Sequence, residues 1–261
     1  MITLGIIGFG NVALEVHLPI LLARSDIKIT WIFDKLTASE NICKKKNIPF
    51  YNSLDSALEF ECPEIVLITT PYNQRKDIFN KIKNKVSGVY CEKPFALTQD
   101  EHMKYIEGYN PYSFTIGYQK RSLGNVQNLK NIISSKIFNS IKEISVEFGD
   151  VHYTFGGSRR SKKEICDGGI FFESGSEYID TVLYLTNTNK IDNFNSQVKY
   201  IDDLDVHSEG NFDIYDDKNE LIKCKFKFSS IKNTENKIII KFENCFIELY
   251  LYEDDFDLIL N

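Results

Sequence analysis

The N-terminal segment Leu4-Gly5-Ile6-Ile7-Gly8-Phe9-Gly10-Asn11-Val12-Ala13 carries the first evidence for the fold. An apolar run meets two glycines, and a segment compatible with one helix, residues 11–23, begins at once. The first glycine allows a sharp turn, and the second allows a diphosphate to approach the main chain. The N–H groups and the dipole of a helix start favour an anion there. The segment therefore predicts a strand, a turn and a helix N-terminus that bind a dinucleotide through Gly8, Phe9, Gly10, Asn11 and Val12.

A second apolar run, residues 27–33, ends at Asp34. This acid lies close to the spacing of about 20 residues at which a carboxylate reaches the ribose hydroxyls of a dinucleotide. A carboxylate there accepts from both hydroxyls of NAD and repels the 2′-phosphate of NADP. The neighbouring Lys35 could offset that repulsion. The sequence therefore favours NAD over NADP as the cofactor.

Composition restricts the class of protein. The 261 residues are 43% hydrophobic with a net charge of -6, which argues against nucleic acid as the main partner. No apolar stretch approaches the roughly 20 residues of a membrane span, and no basic leader precedes the first strand, so we expect a cytoplasmic protein that does not contact membranes. Six scattered cysteines predict reduced, mostly buried thiols, and four scattered histidines indicate no metal site.

The order of the predicted elements indicates two domains. Strands and helices alternate for nearly 120 residues, which is typical of a parallel sheet with right-handed crossovers. Beyond that point a helix, a strand, a second helix near 171–185 and a run of strands without intervening helices predict an antiparallel sheet. The predicted fold class is α/β: a Rossmann domain over residues 1–118 and a smaller α+β domain with a mostly antiparallel open sheet over residues 119–261.

Three later motifs follow the glycine turn in order. Val89-Tyr90-Cys91-Glu92-Lys93-Pro94 ends the fifth predicted strand, Tyr118-Gln119-Lys120-Arg121 marks the change of architecture, and Asp167-Gly168-Gly169 opens the second domain's long helix. Together with Thr70-Pro71, this order resembles the glucose-fructose oxidoreductase, inositol dehydrogenase and rhizopine catabolism (Gfo/Idh/MocA) family of NAD(P)-dependent oxidoreductases. The resemblance extends over most of the chain.

The resemblance implies that Lys93 lies beside the nicotinamide and the substrate and that the Lys93-Pro94 peptide is cis. A lysine ammonium beside the reacting carbon polarises a carbonyl or stabilises an alkoxide as hydride moves. The resemblance also implies that the helix after Gly169 supplies the acid/base group. The remaining residues that it assigns to the cofactor are Thr69, Thr70, Pro71, Asn73, Glu92, Lys93 and Pro94.

The sequence departs from the family pattern on that helix. The family places an Asp and, four residues later, a proton-carrying His where this chain has Glu173 and Glu177. A spacing of four puts both carboxylates on one helical face, which Asp180 joins. Burial and repulsion would raise at least one pKa, so that Glu177 could act as the general acid or base. Alternatively, the acids pair with Lys93, Lys120 or Arg121, or receive a cationic substrate group.

A polar loop supplies further candidates. The segment 156–163 carries four cations in five positions, which would suit a phosphate or carboxylate of the substrate but equally describes a solvated loop. His17, early in the first helix, is interpreted as a local structural residue. The predicted substrate-binding set is Lys93, Lys120, Arg121, Tyr153, Arg159, Arg160, Glu173 and Glu177.

The chain ends earlier than members of the family commonly do. We therefore expect a second sheet that is smaller or lacks its edge. The family commonly buries this sheet against another subunit, so a homodimer or tetramer through the open sheet is predicted.

Three functions fit the sequence. The first is an oxidoreductase that moves a hydride to or from a sugar, a nucleotide sugar or a similar polyol or carbonyl compound. The second is an imine or unsaturated-bond reductase of the same fold, for which the missing histidine is not needed. The third is a non-catalytic regulatory or assembly protein that binds the dinucleotide.

Overall fold

The computed structural model describes residues 1–151, 168–188, 190–251 and 256–260. The chain divides into two compact units, Met1–Gly117 and Tyr118–Asn261. Within the described ranges no helix has the length and apolar character needed to cross a membrane. The same residues contain no cluster of His, Cys, Asp or Glu that could hold a metal ion.

The first unit is built on six parallel strands in the order β3-β2-β1-β4-β5-β6. Because the order reverses between β1 and β4, the carboxyl ends of those two strands form a topological switch point, where such sheets bind ligands. The strands are β1 (Ile2–Ile7), β2 (Ile27–Phe33), β3 (Phe50–Tyr51), β4 (Ile65–Ile68), β5 (Gly88–Cys91) and β6 (Phe114–Ile116).

Short helices connect these strands. Side chains cap two of them: Ser53 Oγ accepts from Ser56 N–H before α3, and Thr98 Oγ1 accepts from Glu101 N–H before α5. The α-helices are α1 (Leu18–Leu22), α2 (Glu40–Lys45), α3 (Leu54–Phe60), α4 (Arg75–Ile82) and α5 (Gln99–Ile106).

The helices of the first unit are short and differ in type. The segment predicted as one helix over 11–23 is a π-helix, Val12–His17, followed by α1. Single turns of 3₁₀-helix, Thr37–Ser39 and Tyr72–Gln74, precede α2 and α4. The apolar pattern locates a helix but does not distinguish i→i+5 from i→i+4 hydrogen bonding, so these differences were not visible in the sequence.

The second unit contains a seven-stranded sheet in the order β13-β12-β11-β7-β10-β9-β8. β7 and β10 pair in parallel and all other neighbours pair antiparallel. The strands are β7 (Glu143–Gly149), β8 (Asp192–Ile201), β9 (Leu204–Tyr215), β10 (Leu221–Ser229), β11 (Lys237–Lys241), β12 (Cys245–Tyr250) and β13 (Phe256–Leu260).

The last strand, β13, was not predicted, and it gives this sheet more strands than the first. The expectation that this sheet is smaller than in other members of the family, or lacks its edge, stays a prediction. α6 (Gly124–Ser134) and α7 (Ser176–Thr186) contribute to the same apolar core as one face of the sheet. A π-helix, Phe171–Gly175, runs directly into α7, where a single α-helix was predicted.

Candidate functional site

The turn after β1 is tied to the end of β4. Gly8 has a φ of +90°, a conformation that glycine adopts without strain. A Cβ on this residue would lie 2.8 Å from Thr70 Cγ2 and 3.0 Å from Thr70 N. Thr69 Oγ1 also donates to Gly8 O over 2.7 Å. The glycine is therefore required both by its backbone conformation and by the close approach of the neighbouring turn.

Gly10 serves a different purpose, because nothing lies within 4 Å of the position that a Cβ would occupy there. The π-helix begins two residues later, and its first N–H groups have no acceptor within the helix. Open space beside helix-start N–H groups is what a diphosphate requires. The residues present therefore fit the dinucleotide that the sequence predicts.

Asp34 lies at the carboxyl end of β2, as predicted, and holds the backbone around it. Its Oδ2 accepts from Phe9 N–H over 2.6 Å, and its Oδ1 accepts from Leu36 N–H over 2.8 Å. Each carboxylate oxygen can accept more than one hydrogen bond, so these contacts leave acceptor capacity. Lys35 is exposed. The carboxylate thus places a negative charge directly beside the glycine turn.

The end of β5 carries Glu92-Lys93-Pro94, and the Lys93-Pro94 peptide is cis, as the resemblance implies. Glu92 Oε1 lies 2.7 Å from His17 Nε2, and both side chains are largely buried. A Cβ at Gly117 would lie 3.1 Å from Glu92 Oε2. His17, which the sequence indicated as a local structural residue, contacts a residue of the predicted site 75 positions away.

Arg75 is a site residue that the sequence did not reveal. Its side chain is 2% exposed and donates to the carbonyls of Thr70, Pro94 and Phe95. It therefore connects the turn after β4 with the turn after β5. The predicted cofactor residues Pro71 and Asn73 lie in the first of these turns, before α4 begins at Arg75 itself.

In the second unit, Glu177 is buried beside a lysine. Glu177 is 9% exposed, Lys120 is 7% exposed, and Lys120 Nζ lies 3.9 Å from Glu177 Oε2. The ammonium also lies 5.6 Å from the centre of the Tyr178 ring. Two opposite charges buried together offset part of each other's desolvation cost. Glu173 is half-buried in the π-helix that precedes α7.

Asp180 pairs with Arg121. Arg121 Nε donates to Asp180 Oδ2 over 2.7 Å, and Nη2 donates to Oδ1 of the same carboxylate. Burial raises the pKa of Asp180, while the Arg121 guanidinium opposes that rise. The cause of the raised pKa of Asp180 is burial and not repulsion between neighbouring acids.

Asp205, in β9, binds the backbone at the start of the π-helix Phe171–Gly175. The sequence did not predict this role. Its carboxylate accepts from Gly169 N–H over 2.5 Å and from Phe171 N–H over 2.8 Å. A Cβ on Gly169 would lie 1.9 Å from Asp205 O. The second glycine of the Gly168-Gly169 pair therefore permits this contact. The elevated pKa of Asp205 has burial as its largest cause, which the two backbone N–H groups oppose.

The predicted catalytic and substrate-binding residues are divided between the two units. Lys93 lies in the first unit, and Lys120, Arg121, Glu173 and Glu177 lie in the second. Three candidates and the whole cationic loop fall outside the described residues: Tyr153, Arg159, Arg160 and residues 156–163.

The strand order, the glycine turn and the acid after β2 define a Rossmann protein of the dinucleotide-binding class that carries a second, α+β unit. A family model described as an oxidoreductase family with an NAD-binding Rossmann fold matches residues 2–110. Over these residues, which form most of the first unit, the chain matches the Gfo/Idh/MocA oxidoreductase family.

Two curated relatives match 70% of the chain. The rhizopine catabolism protein MocA of Rhizobium meliloti is 25% identical over 185 residues, and the match covers 56% of its length. An uncharacterised oxidoreductase of Schizosaccharomyces pombe is 30% identical over 191 residues, and the match covers 51% of its length. The matched part of the chain thus spans about half the length of these relatives.

The fold also matches solved structures. The WlbA dehydrogenase from Bordetella pertussis, crystallised with NADH and UDP-GlcNAcA, superposes with a TM-score of 0.84 over 99% of this chain and 77% of that one. The sequence identity is 16%, so this likeness shows the shared fold.

Proposed function

We propose that this protein is an NAD-dependent oxidoreductase that transfers a hydride to or from the carbon of an alcohol or carbonyl group on a sugar-like substrate. The supporting observation is the open space at Gly10 beside the start of the first helix, bordered by the charge of Asp34. The family match supports the same cofactor class. Because the Bordetella relative was crystallised with UDP-GlcNAcA, nucleotide sugars are the first substrates to test.

The bound nicotinamide would supply or accept the hydride. Lys93, after β5, would polarise the substrate carbonyl or stabilise the alkoxide. Glu177 would hold the proton that the hydroxyl group loses or gains, and Lys120, 3.9 Å away, would balance its charge. The backbone N–H groups that follow Gly10 would bind the diphosphate.

Cofactor binding is tested by filling the space at Gly10. The Gly10→Val side chain meets no protein atom near its Cβ, so we expect a folded chain whose dissociation constant for NADH rises at least about tenfold, because the diphosphate can no longer approach the main chain. Gly124→Val is the matched control, since its Cβ also meets nothing within 4 Å. Equal NADH affinity in both variants, measured by nicotinamide fluorescence, would contradict the proposed site.

Cofactor choice is assigned to the Asp34 charge. Asp34→Asn keeps an acceptor for Phe9 N–H and removes the negative charge. We expect NADPH to gain about three- to tenfold in affinity relative to NADH, because the repulsion of the 2′-phosphate is removed. Tighter binding of NADPH than NADH by the unaltered chain would overturn the preference for NAD.

Catalysis is tested at Glu177. With a nucleotide sugar that the protein turns over, Glu177→Gln should lower kcat by about 10²- to 10⁴-fold, because a proton-transfer group is lost. Glu173→Gln is the matched variant on the preceding turn, for which we expect a much smaller loss. NADH binding without turnover of any sugar or nucleotide sugar would instead favour a regulatory protein.

The open face of the second sheet is proposed to form a homodimer. A groove of about 750 Å³ crosses this face, and charged side chains line it, among them Lys225 and Lys237, which form ion pairs at 2.8 Å with Glu143 and Glu248, respectively. Ile239→Glu would place a further charge in the groove and should give a monomer by light scattering at micromolar concentration. Glu59→Lys, on α3, is the control. A monomeric unaltered chain would contradict the proposal.

A further inference from the structure

Arg75 occupies a position that ordinary helix energetics disfavour. It is the first residue of α4, where the helix dipole is positive and a cation is repelled. Its side chain is 2% exposed, so the guanidinium has also lost almost all contact with water. Among the described residues, no carboxylate forms a hydrogen bond with it. A buried charge without an ionic partner is costly, so other contacts must compensate it.

The compensating contacts are four hydrogen bonds to main-chain carbonyls. Nε and Nη2 donate to Thr70 O at 3.2 and 2.9 Å. Nη1 donates to Phe95 O at 3.1 Å and to Pro94 O. The planar fork of an arginine can address two separated chain segments at once, which the compact ammonium of a lysine does less well. The two segments follow neighbouring parallel strands, β4 and β5.

Both segments belong to the proposed cofactor site. Thr70 packs against Gly8 of the diphosphate turn, and Pro94 follows Lys93 directly. A buried arginine at a helix N-terminus goes against the usual preferences for charge, and such exceptions occur mainly at functional sites. The side chain of Arg75 fixes the position of these two turns relative to each other.

We propose that Arg75 is a positioning residue: its guanidinium holds the turn after β4 and the Lys93-Pro94 turn in one arrangement, and thereby sets the affinity of the dinucleotide site and the placement of Lys93. This inference rests on the proposed function. Arg75 contacts neither cofactor nor substrate in this role and acts through the backbone of the two turns.

The test uses the full chain and three variants. Arg75→Lys keeps the charge but loses the fork, Arg75→Ala removes both and leaves space for free guanidinium, and Arg24→Lys is the control, because Arg24 is exposed and pairs with Asp26. Two quantities are measured: hydrogen exchange of peptides that cover residues 69–75 and 92–97, and the dissociation constant for NADH.

In both Arg75 variants we expect hydrogen exchange to accelerate at least about tenfold in the two turns together, because each turn loses the hydrogen bonds that the guanidinium donates to its carbonyl oxygens. We expect the NADH dissociation constant to rise by about the same factor. Millimolar guanidinium should restore both quantities in Arg75→Ala, and Arg24→Lys should match the unaltered chain. Acceleration of only one turn, or unchanged NADH affinity in variants with loosened turns, would overturn the inference.

Two further outcomes separate this inference from the proposed function. If the unaltered chain binds no NADH, the proposed function fails, while exchange still shows whether Arg75 joins the turns. If the variants do not fold, the unaltered chain provides the test, because NADH should then slow exchange in both turns together. Protection of one turn alone would overturn the inference.

Discussion

Glu92 Oε1 lies 2.7 Å from His17 Nε2, so the residue before Lys93 is held by the last residue of the first π-helix. The two side chains are only 14% and 16% exposed. The His17 ring also meets Tyr90 edge-on at 5.5 Å. The helix that follows the glycine turn and the strand end that carries Lys93 are therefore joined by a buried polar contact.

Replacing His17 with Phe should test this contact. The Phe ring keeps the packing against Tyr90 but leaves the Glu92 carboxylate buried without this partner, which costs about 1–3 kcal/mol. The melting temperature of the first unit, followed through the fluorescence of buried Trp31, should then fall by about 2–4 °C for each kcal/mol of stability lost. NADH affinity should fall with it.

His102→Phe is the matched control for this variant. His102 also meets an aromatic ring edge-on, that of Phe95 at 4.9 Å. Burial lowers the pKa of His102, so it is neutral at pH 7 and the change removes no charge. If His17→Phe were no more harmful than His102→Phe, the contact with Glu92 would have no measurable role.

Gly169 and Gly124 should respond oppositely to a methyl group. In Gly169→Ala the Cβ would lie 1.9 Å from the backbone oxygen of Asp205. Because the clash is with a backbone atom, no side-chain rotation can relieve it, so we expect the free energy of unfolding to fall by at least about 2 kcal/mol or the chain to fail to fold. In Gly124→Ala the Cβ meets nothing, and the variant should be neutral or stabilised by up to about 1 kcal/mol. Urea unfolding followed by circular dichroism measures both. Equal stability would contradict the described approach of Asp205 to the double glycine.

Much of the fold could be predicted from local patterns in the sequence. β5, β7 and β10 are each a clear apolar or alternating run between polar segments, so the sequence pattern alone predicts strands at these positions. β13 was not predicted because its side chains do not alternate regularly between buried and exposed positions, and its pairing with β12 is not visible in a local pattern.

The candidate site divides in the same way. The glycine turn, Asp34 and the segment around Lys93 are contiguous motifs and could be recognised. Arg75 and Asp205 act through contacts with residues 19 and 34 positions away, respectively, so that only the folded chain brings the partners together. Their local sequence carries no sign of these contacts.

Alkylation should distinguish the described thiols. Burial raises the pKa of Cys43 and Cys91 to about 11 and that of Cys224 to about 12, so few thiolates form at neutral pH. Cys62 is exposed. Mass spectrometry after brief iodoacetamide treatment at pH 7.5 should find Cys62 modified well before these three. In urea all four should react at similar rates, and early labelling of Cys91 in the folded chain would contradict the described burial.

Glu143 should make a pH-dependent contribution to stability. Hydrogen bonds from Lys225 and Lys241, at 2.8 and 2.9 Å, hold the pKa of Glu143 below its usual 4.5. A carboxylate whose pKa is lowered by folding stabilises the folded chain above its unfolded pKa, and this contribution is lost as the pH falls through the folded value. Because both lysines are substantially exposed, the contribution is only about 0.5–1 kcal/mol and falls with added salt.

Glu143→Gln should therefore lower the free energy of unfolding at pH 7 and low salt, with a difference from the unaltered chain that shrinks below about pH 4.5. Urea titrations across this range measure it, and Glu59→Gln, at an exposed position on α3, is the control. A difference that grows toward acid would mean that Glu143 is stabilised in its protonated form, contrary to its two lysine contacts.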